Sequence, residues 1–318
     1  MVSQQALGSH PGPIEDMVAA FQIDGEPVRG RITRLGAETL DPILTRHDYP
    51  AEAARLLGEA LMLAALVGSG MKFEGKVLVQ AEGNGPISLL VAEYTKDGDL
   101  RGYIRRDQEK WDTLMRVNKG ARPHIPQLFG PNGALGLIIV HDDPSMHPYR
   151  GIVPLTKGTL AECAEDYFAQ SEQVASRIAL GVGELSVPGG EGGGWRGGGI
   201  LMQQMAGDDA RGDTQEAWDT AQALFGTLTD VELISPDLTP DRLLYRLFHE
   251  TGVRMADPMV LKDACSCNEE RLRATLQGLS DSGLRDMVEP DGTLSINCQF
   301  CNRHYSIPIE DVTGPVDG

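Results

Sequence analysis

The sequence predicts an α+β protein, in which a mostly antiparallel sheet with packed helices is followed by a helical linker and a small C-terminal four-cysteine zinc domain. Short strand-like runs separated by turn dipeptides, rather than a regular alternation of strands and helices, predict the antiparallel sheet. One long helix, over residues 51–67, is apolar nearly all round from Ala60 onward, which indicates burial under a sheet. Four of the five cysteines lie within residues 265–301 in two close pairs. We therefore divide the chain into an α+β core over residues 1–205, a helical linker over 206–256 and a zinc-binding domain over 257–318.

The elements of the core follow from their turn signals. Met17–Ile23 and Val28–Leu35 are predicted to be the first two strands, because Asp24-Gly25 between them is a strong hairpin signal. The long helix ends at a Gly-Ser-Gly sequence, and glycine-containing turns then separate a series of short runs. These runs predict strands over residues 75–81, 86–94, 100–105, 134–142, 149–154, 177–182 and 199–205, and a helix over 159–171.

Two features of the core resemble functional motifs but have structural interpretations. The glycine-rich segment 189–199 has no flanking lysine and no following helix, so we expect a flexible loop. Cys163 lies inside a predicted helix, where a lone cysteine is usually a small buried apolar residue rather than a nucleophile. Motifs such as G-x-S-x-G and H-E-x-x-H do not occur, so we expect that the protein is not an enzyme.

The linker contains two predicted amphipathic helices. The first begins after Asp213 or Thr214, and the second has Thr239 as its N-cap and Pro240 at its first position. Their apolar stripes comprise Trp218, Ala221, Phe225 and Leu228 in the first helix, and Leu243, Leu244, Leu247 and Phe248 in the second. Either these stripes pack permanently on the core, or they are covered only while the zinc domain is folded and become a sticky surface when it unfolds. The position of the helices between core and cysteines favours the second interpretation.

The cysteine spacing predicts a metal site. Cys265-Ser-Cys267 and Cys298-Gln-Phe-Cys301 each present two sulfurs on one side, and 30 residues separate the pairs. Four thiolates in a tetrahedron are a set that zinc prefers, and such closed sites are structural rather than catalytic. Two structural disulfides of a secreted protein, or unrelated buried thiols, are the disfavoured alternatives. His304 follows closely, but a fifth ligand is not needed, and we expect it beside the site or on the surface.

The same spacing suggests a redox switch. A tail of roughly 60 residues is near the size at which a hydrophobic core alone is marginal, so zinc would supply folding free energy on the order of 10 kcal/mol. Oxidation to Cys265–Cys267 and Cys298–Cys301 would remove every ligand and release the metal. A disulfide across Cys-x-Cys closes a small, strained ring, and strained disulfides are the labile ones. Loss of zinc would then unfold the tail.

Charge and composition exclude several classes of partner. The net charge is −18, and residues 257–318 alone carry eleven acidic against five basic side chains, so we expect no nucleic-acid partner. The residues before Met17 lack a basic region followed by an apolar run, and we expect a disordered extension rather than a signal peptide. The most apolar run, residues 60–70, is too short to span a bilayer. Five cysteines without a signal predict a cytoplasmic location and no membrane partner.

These residues together resemble the heat-shock protein 33 family, the redox-regulated bacterial chaperones. The most specific part of the resemblance is Cys265-x-Cys267 with Cys298-x-x-Cys301. The supporting stretches are RLLGEALMLAALVGSGMKFEGKVLVQAEGNGPI, YRGIVPL, LAECAEDYFAQSEQ, GGILMQQM and RLFHETGVRMADP. The chain departs from the family pattern in a longer N-terminal extension and in the glycine-rich insertion at 189–199, and neither includes the cysteines.

The resemblance implies a role in the stress response. The reduced, inactive protein would hold one zinc ion per chain on the four cysteines, and peroxide with heat, or hypochlorite, would oxidise neighbouring thiols and expel the metal. The tail and linker would unfold, and the exposed apolar surface would hold unfolded client proteins without ATP. The active form would be a homodimer, and clients would pass to ATP-dependent foldase chaperones. As client-binding residues we select Trp218, Phe225, Leu228, Leu244 and Phe248.

Three other functions remain as alternatives. A zinc-stabilised interaction protein without a redox role would be unaffected by oxidants. A thiol oxidoreductase would use Cys298-Gln-Phe-Cys301, but such motifs usually open a helix in a βαβ unit, whereas this one follows a predicted strand. A nucleic-acid-binding zinc ribbon would need a basic face, which the acidic tail lacks.

Overall fold

A computed structural model of the chain describes residues 15–71, 74–186, 193–206 and 214–313. The chain divides into two compact units, the first ending at Asp263 and the second beginning at Ala264. The expected N-terminal extension lies outside the described residues, apart from its last two residues, and so does Asp213 as a helix cap.

The first unit contains twelve strands and eight helices among the described residues. The strands are β1 (Met17–Ile23), β2 (Val28–Leu35), β3 (Gly75–Glu82), β4 (Ile87–Thr95), β5 (Asp99–Arg106), β6 (Ala134–His141), β7 (Tyr149–Pro154), β8 (Ser176–Leu185), β9 (Gly194–Gln204), β10 (Val253–Met255), β11 (Met259–Val260) and β12 (Lys262–Asp263). The helices are α1 (Leu40–Thr45), α2 (Ala51–Gly68), α3 (Gln108–Asn118), α4 (Ile125–Phe129), α5 (Leu160–Tyr167), α6 (Gln215–Phe225), α7 (Asp230–Ile234) and α8 (Pro240–Phe248). A π-helical turn, Phe168–Glu172, continues α5.

These strands form two six-stranded sheets. The first sheet has the order β10-β1-β2-β9-β8, with β11 also paired to β1, and the second has the order β12-β5-β4-β3-β6-β7. The described strand pairs of this unit are antiparallel except for β12 with β5. The predicted α+β class with mostly antiparallel pairing is confirmed, but the strands are divided between two sheets where the sequence suggested one.

Helix α2 lies between the two sheets, and 15 of its 18 residues are buried. On one side, Leu57 and Leu61 pack against Gly102 of β5 in the second sheet. On the other, Met62 packs against Gly197 of β9 in the first sheet. A helix covered on two sides must be apolar nearly all round, which is the pattern that the sequence shows.

The first sheet is buried on both faces. Successive side chains of a strand point to opposite faces, and in β1 Val18 belongs to the core around α2 whereas Met17, Ala19 and Phe21 belong to a second apolar cluster. The linker helices α6, α7 and α8 supply the other half of this second cluster. The linker therefore closes a face of the sheet that would otherwise expose apolar side chains to water.

The expectation of a flexible loop in the glycine-rich segment is wrong for its C-terminal part, which the structure describes as a strand. Strand β9 begins at Gly194 and pairs with β2 on one side and β8 on the other, so its backbone hydrogen bonds are satisfied by both neighbours. Two partner strands outweigh the low strand propensity of glycine. Residues 187–192 lie outside the described part of the chain.

Helices α1, α3 and α4 were not predicted. Helix α3 buries only Trp111 among its residues, so it lacks the wide apolar stripe used to recognise a helix. Its N-cap was nevertheless visible in the sequence, because the Asp107 side chain accepts a hydrogen bond from the Lys110 backbone N–H.

The buried carboxyl group of Glu59 makes the stability of the first unit depend on pH. Glu59 lies on α2 and forms an ion pair with Arg122, but burial outweighs this pairing and raises the pKa of Glu59 to about 7. An acid whose folded pKa is raised contributes less stability as the pH rises from about 4.5 to 7, because the unfolded chain releases its proton first. The change is on the order of 3 kcal/mol.

We therefore expect Glu59→Gln, which removes the ionisation and keeps an acceptor for Arg122, to stabilise the first unit relative to the unchanged chain above pH 7. The advantage should vanish near pH 4.5. Urea unfolding followed by tryptophan fluorescence measures this, because Trp111, Trp195 and Trp218 all lie in the first unit. A stability difference that does not change with pH would contradict the burial argument.

Candidate metal centre

The second unit is built around one hairpin. Strands β13 (Thr293–Asn297) and β14 (His304–Pro308) pair in antiparallel register, and helices α9 (Glu269–Leu276) and α10 (Asp281–Arg285) precede them. The turn between the strands carries Cys298 and Cys301. The Cys298 N–H donates to the Arg303 carbonyl at 2.9 Å, and the Asn302 N–H donates to the Cys298 carbonyl at 2.8 Å. Asn302 adopts a φ of +57°, a left-handed conformation that asparagine tolerates better than most residues. This tight turn holds the two cysteines together.

The first cysteine pair immediately precedes α9. The side chain of Asn268 caps the helix by accepting a hydrogen bond of 2.8 Å from the Arg271 N–H. The Arg271 guanidinium in turn donates to the Ser266 carbonyl at 3.0 Å. The residue between Cys265 and Cys267 and the residue after them are thus fixed by the start of the helix.

The two pairs bring their four sulfurs into one cluster. All four Sγ atoms lie within 4.8 Å of one another. The Cys265 and Cys298 sulfurs are 3.8 Å apart, and those of Cys267 and Cys301 are 3.3 Å apart. A metal ion with tetrahedral sulfur ligands at about 2.3 Å requires sulfurs about 3.8 Å from each other. None of the four cysteines is in a disulfide, and their arrangement fits a single metal ion.

The environment of the cluster favours a thiolate at Cys267. Burial raises the pKa of Cys267, but hydrogen bonds from the Tyr305 hydroxyl, at 3.2 Å, and from the neighbouring thiols outweigh it and lower the pKa to about 7. At Cys301, burial and the hydrogen bonds with the neighbouring thiols raise the pKa to about 12. The thiolate is the form that binds metals and reacts with oxidants.

The hydrophobic core of the second unit is small. Its buried apolar residues are Leu276, Leu284, Leu294, Ile307 and Val312. A core of this size rarely stabilises a domain without a cross-link or a metal. The cysteine cluster can provide a metal site in this unit.

The two other candidate residues lie outside this cluster. The ring of His304 is exposed, and its Nδ1 atom lies 3.0 Å from Asn297 Oδ1. Cys163 is fully buried in α5, and burial raises the pKa of its thiol. Both observations agree with the expectations from the sequence.

The five selected client-binding residues all contribute to the second apolar cluster. Trp218, Phe225, Leu244 and Phe248 are buried, and Leu228 is partly buried against the same cluster. Helix α6 ends at Phe225, so Leu228 lies in the following turn rather than on the helix. The Phe248 ring stacks on Phe21 of β1 with 6.1 Å between the ring centres. In this conformation the linker stripes are covered, and their role in client binding stays a prediction.

Sequence reasoning missed helix α7 and its main contact. Thr229 and Glu232 form a capping box at the start of α7, and this spacing of Thr and Glu was a signal in the sequence. The contact is with Arg34 of β2, whose guanidinium donates to the carbonyls of Glu232, Ser235 and Leu238 at 2.9, 2.7 and 2.8 Å. Burial lowers the pKa of Arg34 to about 10, so it remains charged at neutral pH. No local sequence pattern predicts a contact between residues that are about 200 positions apart in the chain.

Among the helices in the described ranges, none has the length and apolar content needed to cross a bilayer.

Comparisons with known proteins agree with the fold and with the cysteine cluster. The family model described as "Hsp33 protein" matches residues 16–308. The 33 kDa chaperonin of Caulobacter vibrioides is 48% identical over 297 residues, which cover 93% of this chain and 96% of the relative. The 33 kDa chaperonin of Ectopseudomonas mendocina is 35% identical, with 94% of each chain covered. The crystal structure of the Hsp33 homologue from Thermotoga maritima superposes with a TM-score of 0.72 at 26% identity, covering 94% of this chain and 97% of that one. The chain therefore belongs to the Hsp33 family of chaperones.

Proposed function

We propose that this chaperone is a redox-regulated holdase that works without ATP and is not an enzyme. Its reduced form holds one zinc ion on Cys265, Cys267, Cys298 and Cys301 and is inactive. Oxidation releases the zinc, unfolds the second unit and the linker, and exposes a surface that binds unfolding proteins in the cytoplasm. The observation that carries this proposal is the cluster of four cysteines, none of them in a disulfide, in a unit whose own core is small.

Zinc is the metal that suits this donor set. Four thiolates at tetrahedral spacing favour zinc over magnesium, calcium or manganese, which prefer oxygen ligands. A bound zinc ion would cross-link the turn at Cys298 to the segment before α9. The free energy of metal binding would then be folding free energy of the second unit, on the order of 10 kcal/mol.

Oxidation removes the ligands two at a time. Two thiolates lose two electrons to one molecule of hydrogen peroxide, which takes up two protons and becomes two molecules of water. The proposed disulfides are Cys265–Cys267 and Cys298–Cys301, and the zinc ion leaves because a disulfide sulfur is a poor ligand. The short distances across the pairs show that proximity alone does not select this pairing. The short distance along the chain selects this pairing, because cysteines with only one or two residues between them stay close after the zinc leaves.

Release of the linker would create the client surface. The apolar stripes of α6 and α8 now cover the first sheet, so undocking exposes both the stripes and the sheet face beneath them. A large contiguous apolar surface binds other exposed apolar chains. Homodimers of the oxidised form and transfer of clients to ATP-dependent foldases belong to the same proposal.

The proposal predicts that zinc release and client holding rise together. Reduced, zinc-loaded protein is treated with peroxide at raised temperature while a colorimetric chelator reports zinc and light scattering reports aggregation of a heat-denatured client. We expect about one zinc ion per chain to be released, because one tetrahedral site has four ligands, and aggregation to fall on the same time course. Zinc release without any gain in holding would instead indicate a structural zinc site in an interaction protein.

A further inference from the structure

Helix α7 packs directly against glycine residues of the first sheet, with no side chains of the sheet between them. A Cβ atom added to Gly198 of β9 would lie 2.0 Å from the Leu233 carbonyl oxygen. A Cβ atom on Gly181 of β8 would lie 3.0 Å from the Leu233 side chain, and one on Gly183 would lie 2.9 Å from Ile234. Gly198 lies directly opposite Gly181 in the antiparallel register of β8 and β9. These three glycines thus form a flat surface that α7 can approach closely because no side chains project from it. We call this surface the glycine floor.

Arg34 holds the other end of the same segment. Arg34 is 5% exposed, and its three acceptors are main-chain carbonyls in and just after the last turn of α7. The last carbonyls of a helix have no intrahelical partner, and a cation there also interacts favourably with the helix dipole. A helix of five residues is too short to be stable alone. Its existence therefore depends on Arg34 and on the glycine floor.

The contact between Arg34 and α7 is close to energetic balance rather than strongly stabilising. The three hydrogen bonds favour docking, but the guanidinium loses its hydration, the three carbonyls that accept from it are uncharged, and its Nε atom is buried without an acceptor among the described residues. When α7 leaves, water can hydrate Arg34 and the freed carbonyls. Gains and costs of docking therefore oppose each other, which suits a contact that has to open.

Helix α7 is also tied to both client-binding helices. Leu233 belongs to the same apolar cluster as Phe225 and Leu243. Arg246 of α8 forms an ion pair with Glu232 at 2.6 Å and donates to Thr227, in the turn after α6, at 3.2 Å. Displacement of α7 would loosen α6 and α8 together.

We propose that Arg34, Gly181, Gly198 and α7 form a lock that holds the linker on the first sheet independently of the zinc site, with Arg34 as the positioning residue. We call this contact the α7 lock. It rests on the proposed function in one respect, that a released linker binds clients. Opening the α7 lock exposes the linker while the second unit keeps its metal.

Hydrogen exchange tests the α7 lock directly in reduced, zinc-loaded full-length protein. Arg34→Met removes the donors, and Gly198→Ala displaces α7 without changing Arg34. We expect the protection of amides in residues 229–238 to fall by about tenfold or more in each variant, the change that corresponds to one net hydrogen bond. Arg34→Lys keeps the charge but loses the planar fork, and its protection should lie between that of Arg34→Met and the unchanged chain.

Gly136→Ala is the matched control, because a Cβ at Gly136 of β6 has its nearest neighbour at 3.7 Å. This variant should keep full protection of residues 229–238. The two lock variants should hold clients without oxidant at unchanged zinc content, and the amides of β3 and β4 should stay protected. General destabilisation would lower the protection of β3 and β4 as well.

The outcomes separate the α7 lock from the proposed function. Unchanged protection of residues 229–238 in both Arg34→Met and Gly198→Ala overturns the lock. Lost protection with no holding, in a chain that does hold clients after oxidation, also overturns it as a regulator and leaves the proposed function intact. If the oxidised protein without substitutions holds no client, the proposed function fails. The α7 lock is then tested by the hydrogen-exchange protection of residues 229–238 alone.

Discussion

Replacing Cys298 with serine is expected to abolish stoichiometric zinc binding by the reduced chain and to unfold the second unit. The substitution removes one of four sulfurs that lie within 4.8 Å of one another. A serine hydroxyl stays protonated at neutral pH and is a poor zinc ligand. Because metal binding and folding of this unit are coupled, most of the roughly 10 kcal/mol of binding free energy would be lost.

Zinc content per chain, measured by chelator titration, and hydrogen exchange of β13 and β14 would report both effects. Cys163→Ser is the matched control, since it makes the same chemical change in α5 of the first unit and should keep full zinc content. The Cys298→Ser chain should also hold some client without oxidant. An unchanged zinc content in Cys298→Ser would rule out a site of four thiolates.

Aspartate at both Phe225 and Leu228 is expected to weaken client holding by the oxidised protein by at least about tenfold. Each of these side chains would contribute roughly 1.5–3 kcal/mol by leaving water on contact with a client, and a charge at the contact adds a desolvation cost. The two residues lie next to each other in the second apolar cluster, so they would be exposed together when the linker is released.

The control for this pair is aspartate at Val231 and Tyr245. These side chains are 71% and 50% exposed, so the control adds the same charge to the same segment without removing buried apolar surface. Holding is compared at equal zinc release, by titrating each oxidised protein against a fixed amount of denaturing client. Equal holding by the two double variants would show that the linker stripe is not the client surface.

The sequence by itself determined the features that depend on short-range pattern. The Asp24-Gly25 turn between Met17–Ile23 and Val28–Leu35 and the apolar run of α2 specify local conformation through residues close together in the chain. The same holds for each cysteine pair, because an extended Cys-x-Cys segment and a tight Cys-x-x-Cys turn each place two sulfurs on one side. Prediction and structure agree closely at these positions.

Only the tertiary structure decided the features that depend on distant partners. The division into two sheets follows from α2 packing on both, and the glycine-rich start of β9 is a strand because β8 pairs with it from Gly194 and β2 from Gly197. The role of Gly181, Gly183 and Gly198 could not be predicted for the same reason, because it depends on α7 packing against them. Arg34 contacts residues about 200 positions away in the chain, and burial with three carbonyl acceptors turns an ordinary strand arginine into the residue that holds the linker. Local periodicity carries no information about such contacts, because it records which side of an element is apolar and not what will cover it.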